Sequence, residues 1–187
     1  MNVKVEAYVG THSHPIEERI ELPMDEKELT RKIKSIFEGK ECLVFDFISE
    51  TPLPFSATTY QSIFELNRVM QILNDYFNQG QYNLIWSALA FCDGNVDSSI
   101  RLLNSGNYEY YFGVKNEEEV GEAIVESGQF GALLTSECKN SMAPEKLMEV
   151  EKIITYLNYE KIGEDFVGNG GRIFVESESA IRALGSW

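Results

Sequence analysis

SIFELNRVMQILNDYF, residues 62–77, decides how the middle of the chain folds. Leu66, Val69, Met70, Leu73 and Phe77 recur at three- and four-residue intervals, the period of one helix face turned toward a core. Ser62 stands where such a helix begins. Its spacing to Glu65 fits a capping box, in which hydroxyl and carboxylate each satisfy a free backbone N–H of the first turn. Two further short helices are predicted at 82–92 and 97–104, the second opened by Asp97. An aromatic strand follows at Tyr108, Tyr110, Tyr111 and Phe112. Residues 59–112 therefore read as a central helical domain.

Toward the amino terminus the period changes from helix to strand. Val3, Val5, Ala7 and Val9 fall on one face, with Lys4, Glu6 and Tyr8 on the other, the pattern of a half-buried strand. Residues 16–22 alternate Ile20 and Leu22 with charged neighbours, and 42–48 form another apolar run, so two more strands are predicted. Between them Asp25 is placed to cap a helix with Leu29, Ile33, Ile36 and Phe37 on one stripe, ended by Gly39. Pro52 and Pro54 then favour an extended connection. Residues 1–58 read as an amino-terminal domain of antiparallel sheet plus helix.

Toward the carboxy terminus, Asn116 can cap a helix through Glu126 that stops at Gly128. Pro144 opens a longer helix with Leu147, Val150, Ile153, Ile154 and Leu157 on its buried side. Gly168, Gly170 and Gly171 read as a hairpin turn before a closing strand at 172–176. Residues 113–187 thus form a carboxy-terminal α+β domain, and the fold class is α+β in three small domains.

Charge is the unusual feature of the composition: 30 acidic against 16 basic side chains give a net charge of -14 and a pI near 4.6. Residues 1–50 hold 11 acids and 7 bases, 51–116 hold 5 and 3, and 117–187 hold 14 and 6, so the excess is greatest in the last third. A surface of this sign repels nucleic acid and anionic membranes and attracts basic partners. Glu118 and Glu122, Glu122 and Glu126, and Glu145 and Glu149 are spaced four apart. Each such like-charge pair costs about 0.2–0.5 kcal/mol in an isolated helix. Stability does not explain the pattern; a solvated helix face or a row of carboxylates for a lysine- and arginine-lined groove does.

Other chemistry is poorly supported. Cys42, Cys92 and Cys138 are far apart and lack a CxxC, so they read as reduced, mostly buried thiols. The amino terminus lacks the apolar core of a signal peptide and no apolar run is long enough to span a bilayer, which places the protein in the cytoplasm. His12 and His14 have no further metal ligands in sequence and lie near no nucleophile signature. Asp93, Asn95 and Asp97 imitate the start of a calcium loop, but Ser98 and Asn104 occupy the positions of its glycine and glutamate, so turn and helix capping is the better reading. No glycine-rich phosphate loop, catalytic residue, cofactor site or metal site is predicted.

Residues 53–72, LPFSATTYQSIFELNRVMQI, resemble the ArdA-type antirestriction proteins, in which a similar LPF, a tyrosine and an SI-x-ELN-R helix open the central domain. Residues 118–133, EEVGEAIVESGQFGAL, are similar to that family's acidic helix and glycine turn. Residues 156–174, YLNYEKIGEDFVGNGGRIF, are similar to its YI-x-Y-x-x-x-G-x-D-hydrophobic segment. Coverage runs from about residue 50 to about 175. The resemblance implies an elongated, curved, three-domain protein that dimerises through its carboxy-terminal domain and presents carboxylates as a copy of bent B-form DNA. It implies an inhibitor without enzymatic activity that occupies the DNA-binding groove of type I restriction-modification enzymes and protects incoming mobile-element or phage DNA. Carried over by position, the mimic carboxylates are Glu65, Asp75, Glu118, Glu119, Glu122, Glu126, Glu160, Glu164 and Asp165. The dimer contact lies within 113–187. The chain is less densely acidic than strong members of the family, and 51–116 is nearly neutral.

Two other readings compete. An acidic adaptor or regulator can keep the fold and bind a different basic protein. A hydrolase with two carboxylates is the other, although nothing in the sequence selects the pair.

Overall fold

The computed structural model describes residues 3–13, 18–38, 40–56, 59–131 and 134–185. The protein is α+β, and the chain divides into two compact units, Met1–Arg101 and Leu102–Trp187. The expected boundary near residue 58 falls within the first unit and the one near 112 within the second. No helix among the described residues is long and apolar enough to cross a membrane.

The first unit contains β1 (Val5–Gly10), β2 (Glu18–Leu22), α1 (Glu26–Phe37), β3 (Leu43–Ser49), α2 (Ile63–Asn78), α3 (Tyr82–Phe91) and the start of α4 (Val96–Ser105). The strands form an antiparallel sheet in the order β2-β1-β3. The alternation read at 3–9 holds: Val3, Val5, Ala7 and Val9 are buried, while Lys4 and Glu6 are exposed. Ile20 and Leu22 of β2, Leu29, Ile33 and Phe37 of α1, and Leu66, Val69, Met70 and Leu73 of α2 are also buried. Asp25 caps α1 as expected, accepting from the backbone N–H groups of Lys27 and Glu28. Glu38 closes the helix in a left-handed conformation, and Gly39 lies outside the described residues.

Two asparagines fasten α2 to the polypeptide beside it. The Asn74 amide accepts from Val3 N at 2.7 Å and donates to Val3 O at 2.8 Å. Asn67 does the same with Met24, at 2.9 and 3.0 Å. Each side chain thus stands in for a strand neighbour, satisfying backbone groups that the sheet leaves free. Asn74→Ala removes both partners of a buried backbone pair and is expected to cost about 1–3 kcal/mol in urea denaturation. A midpoint equal to wild type would show that water replaces the amide without loss.

Phe55 and Tyr60 of the 53–72 stretch, and Pro52 just before it, also serve the scaffold. Pro52 O accepts from Trp86 Nε1 at 3.1 Å and from Tyr82 Oη at 3.2 Å. Phe55 meets Phe47 and Tyr60 edge-on, with centroids 5.9 and 4.9 Å apart, and the Tyr60 hydroxyl donates to Gly94 O. Burial, and secondarily the Glu65 charge, pushes the Tyr60 phenol well above its ordinary range. Burial pushes that of Tyr82 up to about 12.

The second unit contains β4 (Tyr108–Phe112), α5 (Glu117–Glu126), α6 (Ser136–Asn140), α7 (Pro144–Ile154), α8 (Tyr159–Gly168), β5 (Arg172–Phe174) and β6 (Ser179–Ala183). Its antiparallel sheet runs β4-β6-β5. Tyr111, Val114, Val120, Ile124, Phe166 and Ala180 form the core, and Val125, Leu134 and Val150 form a second cluster.

Several expectations are corrected. Ser62 begins α2 but makes no side-chain cap; its backbone bridges to Leu43. Asn95, not Asp97, opens α4, accepting from Ser98 N at 2.9 Å; Asp97 lies in the first turn and pairs with Arg68 at 2.7 Å. Gly168, Gly170 and Gly171 do not form a hairpin. They end α8, where Gly170 has φ +87° and Gly171 N returns to Phe166 O. The strand expected at 172–176 stops at Phe174, and a turn leads to β6, which was not read from the sequence. Ile153 is 55% exposed, and Leu157 lies past the end of α7. The three cysteines form no disulfide and are half-buried. His12 is exposed, while His14 and Ile16 lie outside the described residues.

Candidate protein-binding surface

The second unit places its acids by a close helix crossing. Gly121 of α5 lies against the backbone of Tyr159, and Gly163 of α8 lies against the backbone of Glu117. The two contacts run in opposite chain order, so the helices are antiparallel. Val120 and Ile124 join Phe166 in the core beneath them. The outward side of α5 carries Glu118, Glu122 and Glu126, and α8 carries Glu160, Glu164 and Asp165, all exposed. By sequence count the second unit holds 15 acids and 7 bases, the first 15 and 9.

Not all of these carboxylates have the same freedom. Glu118, Glu122 and Glu160 make no side-chain hydrogen bond or ion pair among the described residues. Glu126 accepts from Ser136 N at 2.7 and 2.8 Å and from Ser136 Oγ at 2.9 Å, which secures the start of α6. Glu119, half-buried, accepts from Lys115 N at 2.6 Å and Asn116 Nδ2 at 3.0 Å, while Asn116 caps Glu119 N at 2.9 Å. The Asn116–Glu119 spacing is itself a capping signature, so the sequence held a signal for this structural duty. Glu164 and Asp165 share Lys161, at 3.1 and 3.3 Å. Tyr159 is held above the ordinary phenol range by burial first, then by the charges of Glu122 and Glu126.

In the first unit Glu65 and Asp75 are exposed on α2 and likewise lack a side-chain partner among the described residues. Glu65 borders a groove of about 210 Å³ with Tyr60, Arg68, Asp93 and Asp97. Nine sequence-predicted carboxylates therefore sort into five without partners, two that bind backbone, and two that share a lysine. No group of three or more His, Cys, Asp or Glu among the described residues is arranged to hold a metal ion.

Such a surface suits a partner rich in lysine and arginine. Seven of the nine carboxylates are carried by the closely crossed α5 and α8. No protein-family model matches the chain, and no curated protein matches it. The chemistry of the surface therefore carries the functional reading.

Proposed function

We propose that this protein is a DNA-mimic antirestriction protein of the ArdA type, which occupies the DNA-binding groove of a type I restriction-modification enzyme. In this reading it is cytoplasmic, has no enzymatic activity or cofactor, binds no nucleic acid directly, and protects incoming mobile-element or phage DNA. It works as an elongated homodimer of three-domain chains, joined through the carboxy-terminal region. The observation that carries the proposal is the antiparallel α5–α8 pair, which holds Glu118, Glu122 and Glu160 exposed and unpartnered on a rigid support. Neighbouring positions on one helix face lie about 5–6 Å apart, of the order of successive phosphates along a DNA strand. A folded copy also avoids the deformation that costs real DNA about 1–6 kcal/mol when a protein bends it.

Titrating the protein into a type I enzyme bound to labelled DNA, at two salt concentrations, tests the reading. Competitive displacement that weakens steeply with salt is expected. No displacement at any excess rejects that target and moves the acidic-adaptor reading to first place. Sedimentation at micromolar concentration tests the dimer; a monomer there rejects the carboxy-terminal contact.

A further inference from the structure

Lys161 is the single basic residue in α5 and α8. Its ammonium lies 3.1 Å from Glu164 and 3.3 Å from Asp165, and Glu160 precedes it in sequence. The three paired side chains remain more than half exposed. Exposed pairs of this kind contribute little to folding because water and salt screen them. Their effect on an approaching basic partner is larger: the partner must either displace Lys161 from its carboxylates or meet a cation where the rest of the pair presents acid. The carboxylates also hold the ammonium's pKa above its ordinary value.

The geometry points to Lys161 as an internal counter-ion that limits the affinity of the α5–α8 surface for basic partners. The role rests on that pair being the contact surface, as proposed above.

The test compares the full-length wild type with Lys161→Gln and Lys146→Gln. Lys146 is exposed on α7 and makes no ion pair among the described residues, so the second variant has the same change in net charge without touching the α8 carboxylates. Decalysine peptide is the first probe and displacement of DNA from the type I enzyme the second. Lys161→Gln is expected to bind decalysine about three- to fivefold more tightly at low salt, with a steeper salt dependence, and Lys146→Gln to stay within about twofold of wild type. Equal melting temperatures establish that the fold is unchanged. Decalysine binding by Lys161→Gln no tighter than that of Lys146→Gln overturns the inference, whatever happens with the enzyme. A clear gain with decalysine, alongside wild type that displaces no DNA, upholds Lys161 and rejects the restriction enzyme as partner.

Discussion

Alanine at Gly121 or Gly163 is expected to unfold the carboxy-terminal unit or leave it marginal. A Cβ at Gly121 falls 1.9 Å from Tyr159 O, and one at Gly163 falls 1.9 Å from Glu117 O. Both obstacles are backbone, so no rotamer change relieves them and the helices must part. Parting them uncovers Val120, Ile124 and Phe166, all nearly inaccessible now. Overpacking of side chains costs about 1–3 kcal/mol, and a clash with main chain lies at or beyond the top of that range. Against a total stability of about 5–15 kcal/mol, this is a large loss. Urea denaturation followed by far-UV circular dichroism measures it. Gly168→Ala is the reference, since nothing lies within 4 Å of its added Cβ at the end of α8. That substitution is expected to be neutral or to stabilise by up to about 1 kcal/mol. Equal midpoints for Gly121→Ala and Gly168→Ala would disprove the close crossing.

The crossing is reinforced from the sheet side. Glu109 of β4 and Arg182 of β6 are cross-strand partners, with Arg182 Nε 2.9 Å from the carboxylate. Gln129 donates to both Glu109 and the Tyr111 hydroxyl at 2.8 Å. Arg182 also lies over the Phe166 ring, 4.9 Å from its centroid, and Tyr111 meets the same ring edge-on at 5.8 Å. Burial is the largest cause raising the Tyr111 pKa, and the Glu109 charge adds to it. The network fixes α8 to the sheet at the residue that the glycine crossing also buries. Carboxylates on α5 and α8 are consequently carried by helices packed closely against each other and tied to the sheet.

The periodic elements were readable because burial and period coincide in them. β1 alternates cleanly, α1 has an aspartate at its cap, and α2 repeats its apolar face for four turns. The sequence failed where a local pattern was outbid by tertiary structure. Ser62 has the capping spacing but makes no side-chain cap, and its backbone bridges to Leu43. Gly170 and Gly171 have hairpin composition, yet they close a helix whose apolar face is narrow, with Phe166 the only fully buried large side chain. β6 escaped notice because SAIRA carries only one large apolar residue and depends on two neighbours for its pairing. The acids were visible by count and spacing, and the Asn116–Glu119 spacing signalled the duty of Glu119, whereas that of Glu126 depends on Ser136, ten residues away, coming within reach. The family-like residues Phe55, Tyr60 and Asn67 fasten the scaffold, so a motif match here reports on fold first and on surface chemistry only indirectly.

Replacing Glu118, Glu122 and Glu160 together by glutamine is expected to weaken displacement of DNA from the target enzyme by about 30- to 100-fold at low salt. About three- to fivefold per charge is the upper range for exposed ion pairs, and the product assumes independent contributions. The loss should shrink as salt rises, since screening removes the same interactions in wild type. Stability should change little. None of the three has a side-chain partner to lose among the described residues, and relief of the Glu118–Glu122 and Glu122–Glu126 repulsions, about 0.2–0.5 kcal/mol each, is offset because Glu118 and Glu160 leave the first turns of α5 and α8, where the helix dipole favours a negative charge. Glutamine at Glu119 and Glu126 should show the reverse signature, a lower melting temperature with a smaller loss of displacement, because these carboxylates accept backbone N–H groups. A two-carboxylate hydrolase would behave differently again: one substitution would abolish activity and the others would do little. Graded, salt-sensitive loss of binding with little change in stability marks charges that serve a partner and not the fold.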